Sequence, residues 1–263
     1  MDTINRELSR LHSQYLTHKF TELLKIDPSQ YEIILPAGIG GIFIHEGIGH
    51  CLEADHYFQN ENIIHGRLGK RLTTNTEVSI SDSCEPGLPV SYLLADDGSD
   101  AKNVNLVHNG YFENLMTDEL FSKNYSLLNT GNARAADCVS MPLIRMRNTY
   151  LHNGSAEPDE IIASTKKGIF ATEINGGNVY INTGNFVFNI GAGLLITDGN
   201  ITGVVEPFLF SGNILNSLDS INAIGNDLSF EHAICGKGGQ LINVSYGLPT
   251  IRLSGKRGLN WKG

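Results

Sequence analysis

The sequence predicts an α+β fold: a single β-rich domain with mixed or antiparallel sheets and one short helix bearing His45-Glu46-Gly47-Ile48-Gly49-His50. Three observations carry that prediction. Short runs of alternating apolar residues fill the second half of the chain, separated by turn pairs such as Asn109-Gly110 and Asp198-Gly199. Helical periodicity is confined to a few windows. Twenty-nine glycines suit many tight turns and bulges, and no internal repeat or low-complexity linker divides the chain.

The elements follow in order. Leu8, Leu11, Tyr15, Phe20, Leu23 and Leu24 recur at helical spacing, which predicts an amphipathic helix over 5–26 ended by Asp27-Pro28. The organisation is thus an N-terminal helical segment over 1–30 and one domain over 31–263. A strand over 33–35 and a turn over 36–41 lead into the histidine-bearing helix. Strands are expected over 77–82, 90–95 and 104–107, with His108-Asn109-Gly110 as a hairpin turn. A helix over 116–128 follows. Another covers 158–167, with Pro158 at its start and Gly168 just beyond its end. Strands at 179–181, 186–188 and 194–196 run to the turn Asp198-Gly199-Asn200, and strands continue through 201–210 and 241–253 around a short helix near 214–223.

Composition narrows the function classes. The net charge of -9 argues against a protein that grips a phosphate backbone, so no nucleic-acid partner is expected. No run of eighteen apolar residues exists, so no membrane span is expected. The first 27 residues lack a signal-peptide pattern, and the four cysteines (Cys51, Cys84, Cys138, Cys235) include no CxxC pair. A reducing, cytoplasmic location with free thiols is the expectation, with one thiol available to a metal.

The motif is where chemistry concentrates. Two imidazoles flanking a carboxylate can hold a divalent ion and activate water. The spacing is HExxxH, one residue longer than the HExxH zinc-protease pattern, whose histidines share a helix face. At i and i+5 an ideal helix turns the second histidine about 140° from the first. The glycines Gly47 and Gly49 suggest a loosened turn or a π-bulge that realigns them. The apolar run before the motif reads as buried, and buried polar groups need a partner, which a metal supplies.

The segment from Gly41 to Glu53 resembles the metal-site helix of the TldD/PmbA family of metallopeptidases. Further blocks agree in order: Asp96-Asp97-Gly98, Thr130-Gly131-Asn132-Ala133-Arg134, Met141-Pro142 with Arg145, Asn148-Thr149-Tyr150, and Glu160-Ile161-Ile162-Ala163-Ser164. Gly225-Asn226-Asp227-Leu228, Cys235-Gly236-Lys237-Gly238-Gly239-Gln240 and Gly247-Leu248-Pro249-Thr250 complete the series. The likeness is to the TldD-like, metal-bearing branch, in a short form without the family's N-terminal domain.

That resemblance implies a site and an activity. His45, His50 and Cys235 match the metal ligands, and Glu46 matches the catalytic glutamate. Two imidazoles and a thiolate leave one coordination position for water, as catalytic zinc sites require. It implies one zinc per chain and hydrolysis of small or unfolded peptides, with Glu46 as general base and acid. Leader-peptide removal from modified peptides and peptide degradation are the family's activities. A TldE/PmbA-like partner subunit is expected. A non-catalytic or regulatory subunit acting by protein binding is the alternative, against which the intact His45, Glu46, His50 and Cys235 argue.

Around the motif, Glu53 and Asp55 are read equally as supports of the ligands or as surface groups, and His56 and His65 as ordinary loop histidines. Arg134 and Arg145 are read as anchors for a peptide carboxylate or an oxyanion, or as structural ion pairs. Asn132, Asn226 and Asp227 are assigned to turns, and Cys84 and Cys138 to unreactive thiols.

Overall fold

The computed structural model describes residues 23–58, 62–254 and 259–262. Strands dominate, in chain order β1 (Glu32–Leu35), β2 (Ile80–Ser83), β3 (Val104–His108), β4 (Tyr111–Phe112), β5 (Ala133–Arg134), β6 (Leu143–Ile144), β7 (Asn148–Leu151) and β8 (Lys167–Tyr180). There follow β9 (Asn185–Thr197), β10 (Asn200–Val205), β11 (Phe208–Asn213), β12 (Ile221–Ile224), β13 (Ser229–Lys237), β14 (Gln240–Leu248), β15 (Ile251–Leu253) and β16 (Leu259–Lys262). The α-helices are short: α1 (Ile42–Gly47), α2 (Ala54–Tyr57), α3 (Glu119–Tyr125), α4 (Pro158–Ala163) and α5 (Ile214–Ser220).

An eight-stranded sheet runs β12-β15-β1-β8-β9-β11-β16, with β10 on β9, and a six-stranded sheet runs β13-β14-β7-β2-β3-β4. Each is mixed. β1 is parallel to β8 and antiparallel to β15, and β14 is parallel to β7 and antiparallel to β13. The α+β, β-rich reading of the sequence therefore holds. Helix α1 packs against β8 and β9 of the larger sheet and β7 and β14 of the smaller one. Phe43 on α1 fixes it there: its ring lies 5.7 Å from Phe186, 6.4 Å from Phe188 and 6.4 Å from Phe210. All four rings are fully buried, so the helix carrying the motif is bolted to the main core.

Most local expectations hold, with instructive departures. The first 22 residues of the chain, with most of the expected 5–26 helix, lie outside the described residues. Residues 23–26 are not helical. Leu24 donates to the Val204 carbonyl and accepts from Glu206, so sheet hydrogen bonds replace helical ones. Asp27 caps a short 3₁₀ turn, Pro28–Gln30, instead of ending a helix. The run 90–95 forms no strand, because Leu93 and Leu94 project into solvent and the loop closes through a single Leu94–Asp100 bridge. The runs 186–188 and 194–196 are one strand, β9, paired with a β8 that begins at Lys167 and so cuts the predicted 158–167 helix short. The hairpin at Asn109-Gly110 appears as expected, with φ of 49° and 81° suited to a primed turn. Among the described residues no helix is long and apolar enough to cross a membrane.

Candidate metal centre

Helix α1 does not continue through the motif. It stops at Gly47; Ile48 takes φ -125° and ψ -28°, and a 3₁₀ turn, Gly49–Leu52, follows. The distortion predicted at Gly47-Ile48-Gly49 is therefore a break between two helix types, not a π-bulge. It brings His45 and His50 together, with ring centroids 5.0 Å apart and planes at 79°. Both glycines are there for close approach. A Cβ on Gly47 would meet Ile214 Cδ1 at 2.7 Å, and one on Gly49 would collide with Met146 Sδ.

Cys235 arrives from the other sheet. It lies on β13, the edge strand of the six-stranded sheet, and its Sγ is 3.6 Å from His50 Nε2. One donor atom from each of His45, His50 and Cys235 falls within 4.8 Å of the others. Glu46 reaches across both rings, one carboxylate oxygen 4.0 Å from His45 Nε2 and the other 3.8 Å from His50 Nε2. The four residues singled out in the sequence thus converge.

Their electrostatics follow from burial. Burial keeps His45 neutral, with His50 adding to the effect, and pushes its pKa down to about 3. Burial also opposes a charge on His50, but the Glu53 carboxylate and the Cys235 sulfur outweigh it and push its pKa up to about 10. Burial raises the Cys235 thiol, yet His50 and then Arg145 bring it below its ordinary value. Burial lifts the Glu46 carboxyl above the usual range, against the pull of His50.

His45 as a neutral imidazole and Cys235 biased toward thiolate are in the states a metal requires of its ligands. His50, favoured as an imidazolium by Glu53 and Cys235, must give up a proton to bind one. His45 Nδ1 is also buried with no hydrogen-bond partner. Two nitrogens and a sulfur within 4.8 Å of one another suit zinc.

The surrounding residues resolve the open readings. Glu53 is fully buried and no surface group: its Oε2 lies 3.0 Å from His50 Nδ1 and 3.0 Å from Lys237 Nζ. Asp55 accepts from the same ammonium at 2.8 Å. His56 is not an ordinary loop histidine, since its Nδ1 lies 3.0 Å from the His50 carbonyl and 3.2 Å from Glu53 Oε2. His65 lies away from the cluster, its Nδ1 2.8 Å from the Tyr57 carbonyl and its ring 5.4 Å from that of Tyr57.

Arg134 gives its guanidinium to the carbonyls of Met146 and Asn243, a structural role. Arg145, fully buried, donates to the carbonyls of Cys235 and Gln240. Asn132 and Asp227 do bond to backbone, at the Arg145 carbonyl and the Thr250 amide, but these partners lie 13 and 23 residues away, so they tie distant segments together instead of fixing local turns. Asn226 instead donates to the Glu157 carboxylate at 2.6 Å. Cys51, next to His50 in sequence, stays outside the cluster, and burial pushes its thiol up to about 12.

Lys237 escaped the sequence reading as an individual residue. A signal existed: on a strand, residues two apart share a face, and Lys237 follows Cys235 by two. That signal required knowing that 229–237 is a strand. Its largely exposed, polar pattern hid this, as befits an edge.

Comparison with known proteins identifies the family. Residues 28–257 match the family described as PmbA/TldA metallopeptidase C-terminal domain. A metalloprotease of Methanothermobacter thermautotrophicus is 33% identical over 238 residues, covering 89% of this chain and 52% of that protein. A zinc metalloprotease TldD homolog of Saccharolobus solfataricus is 33% identical over 228 residues, covering 85% of this chain and 50% of that protein. Among solved structures, TldE from Thermococcus kodakarensis shares the fold with a TM-score of 0.73 at 18% identity, covering 93% of this chain and 52% of that one. The chain spans about half the length of the curated relatives it matches.

Proposed function

The chain belongs to the PmbA/TldA metallopeptidase family, and on that premise we propose that it is a zinc-dependent peptidase whose metal is held by His45, His50 and Cys235. The observation that carries the proposal is the convergence of those three donors, from a broken helix and a distant edge strand, to within 4.8 Å of one another. The relatives named metalloprotease and zinc metalloprotease support it.

When bound, zinc supplies Lewis acidity toward a carbonyl oxygen and acidifies a water in contact with it. Glu46 is the group that handles protons. Its carboxylate lies across the two imidazoles and is partly exposed, with 26% of its side chain accessible. It takes a proton from the attacking water and delivers it to the nitrogen of the departing amine. Burial raises its pKa, which makes it a better base than a free carboxylate. His45 and His50 stay fixed through the cycle, one by burial and the other by Glu53.

The substrate in this proposal is a small or unfolded peptide, as in leader removal or peptide degradation, and a TldE/PmbA-like subunit is the proposed partner. Both rest on the family and on the TldD name of its relatives.

Metal analysis of freshly purified protein tests the reading: about one zinc per chain is expected, lost in His45→Ala and in Cys235→Ala. Absence of zinc from the native protein would overturn it. Glu46→Gln should keep the metal and lose peptide hydrolysis. A variant that keeps both removes Glu46 from its role.

A further inference from the structure

Glu53 and Lys237 form a second buried assembly behind the ligands. Glu53 directly follows the 3₁₀ turn that carries His50, and Lys237 lies two residues beyond Cys235 at the end of β13. The two ligand-bearing segments are 185 residues apart in sequence, and this ion pair joins them. Glu53 is fully buried, and the Lys237 side chain is only 9% exposed.

The geometry leaves little freedom. Lys237 Nζ has three acceptors: Glu53 Oε2 at 3.0 Å, Asp55 Oδ1 at 2.8 Å and the Ile144 carbonyl at 2.8 Å. An ammonium has three hydrogens, so all are committed. Glu53 Oε2 faces His50 Nδ1 at 3.0 Å, and the opposite nitrogen, Nε2, faces Cys235 Sγ at 3.6 Å. The carboxylate therefore sets which nitrogen of His50 carries a proton and which way the ring turns. The Glu53 backbone is itself pinned, because the flanking residues Leu52 and Ala54 exchange hydrogen bonds with Met116.

His50, Glu53 and His56 also bring their donor atoms within 4.8 Å of one another, a spacing that could suggest a second ion. The Lys237 ammonium already supplies the positive charge there.

A buried ion pair is a poor source of net stability, because desolvation offsets most of the Coulombic gain. What this pair provides is position. We propose that Glu53 and Lys237 are positioning residues: a clasp that orients His50 and holds the Cys235 strand in register with it. This rests on the reading of His45, His50 and Cys235 as metal ligands.

The test compares the full chain with Lys237→Met, Glu53→Gln and the double variant Glu53→Gln/Lys237→Met. The double variant matters most, since it removes both members of the buried pair and leaves only the part-exposed Asp55 carboxylate without its ammonium, and so should fold. Two readouts are needed: zinc affinity by competition with a chromophoric chelator, and the absorption spectrum of the cobalt(II) form, in which a sulfur-to-metal charge-transfer band reports Cys235.

The clasp predicts that the double variant melts as a cooperative, folded protein yet binds zinc about 10- to 100-fold more weakly. Lys237→Met should weaken the sulfur-to-metal band while the ion stays bound, its ligand-field bands still present. Asp55→Asn, which removes only one of three acceptors, should have a smaller effect on both readouts. Native affinity and a native cobalt spectrum in the folded double variant would overturn the clasp. A wild-type chain that binds neither metal would instead overturn the metal reading beneath it.

Discussion

Asp82 and Glu53 are both completely buried carboxylates, but their oxygens keep different company. Asp82 Oδ1 accepts from the Arg147 amide at 2.8 Å and from Thr149 Oγ1 at 2.8 Å. Its Oδ2 accepts from Arg147 Nε at 2.7 Å and from Asn132 Nδ2 at 2.9 Å. The rest of the Arg147 guanidinium is spent on the Thr130 and Lys102 carbonyls. Glu53 crowds its contacts onto one oxygen and leaves Oε1 without a partner. Among the described residues, His45 Nδ1, Arg145 Nε and Ser245 Oγ share that condition, and the first two belong to or border the same cluster. Of two buried charged networks in one domain, the first is closed and the second is open. A closed network locks strands together; an open one leaves capacity for something the chain does not itself supply.

The comparison can be broken from either side. The largest effect is expected in the closed network. Asp82→Ala strands the buried Arg147 charge and should cost about 3–5 kcal/mol of folding stability. Urea denaturation of metal-stripped protein measures it, and zinc content of the folded fraction should not change. A loss below about 1 kcal/mol, the order of an exposed pair, would erase the distinction between the two networks. Metal removal probes the open network. With free zinc a hundredfold above its Kd, the ion should stabilise the native chain by about 2.7 kcal/mol. A chelator should abolish that increment in wild type and in Asp82→Ala alike, and should do nothing in His45→Ala.

The histidine half of the candidate site was legible in the sequence, and what was not has a physical cause. His45, Glu46 and His50 stand together in six residues, and the glycines between the histidines announced the break that aligns them. Cys235 could be named only through the likeness to a known family, because nothing local distinguishes it from Cys51. Lys237 and the Asp82–Arg147 pair depend on strand neighbours far apart in sequence. Asp82 and Thr149 face each other across β2 and β7, a pairing that no window of residues can reveal. The strand β13 was invisible for a related reason: its apolar Ile234 faces solvent while its inward face carries Cys235 and Lys237, so the sequence lacks the apolar-polar alternation by which strands are read.

The glycines between the histidines give a smaller, sharper test. Gly49→Ala drives a methyl group into Met146 Sδ, and no positive φ is involved. Overpacking of this kind costs about 1–3 kcal/mol. The variant should also weaken zinc binding, because the methyl presses on the turn that swings His50 toward His45. A loss of stability with unchanged zinc affinity would show that the turn can yield without moving the ring.

The smallest effect separates two cysteines. Cys51 adjoins His50 in sequence and Cys235 adjoins it in space. Cys51 is fully buried, and burial pushes its thiol up to about 12, which keeps it protonated and a poor ligand at neutral pH. Cys51→Ala removes one buried heavy atom and should cost about 1 kcal/mol, the order seen for such deletions, with zinc content unchanged. Alkylation of the folded, metal-stripped protein gives the complementary reading. Cys235, whose thiol His50 and Arg145 bring below its ordinary pKa, should react well before Cys51. Exposed Cys138 serves as the internal standard for an accessible thiol. If Cys51→Ala lost the metal, closeness in sequence would have outweighed closeness in space, and the open network would have to be redrawn around a different sulfur.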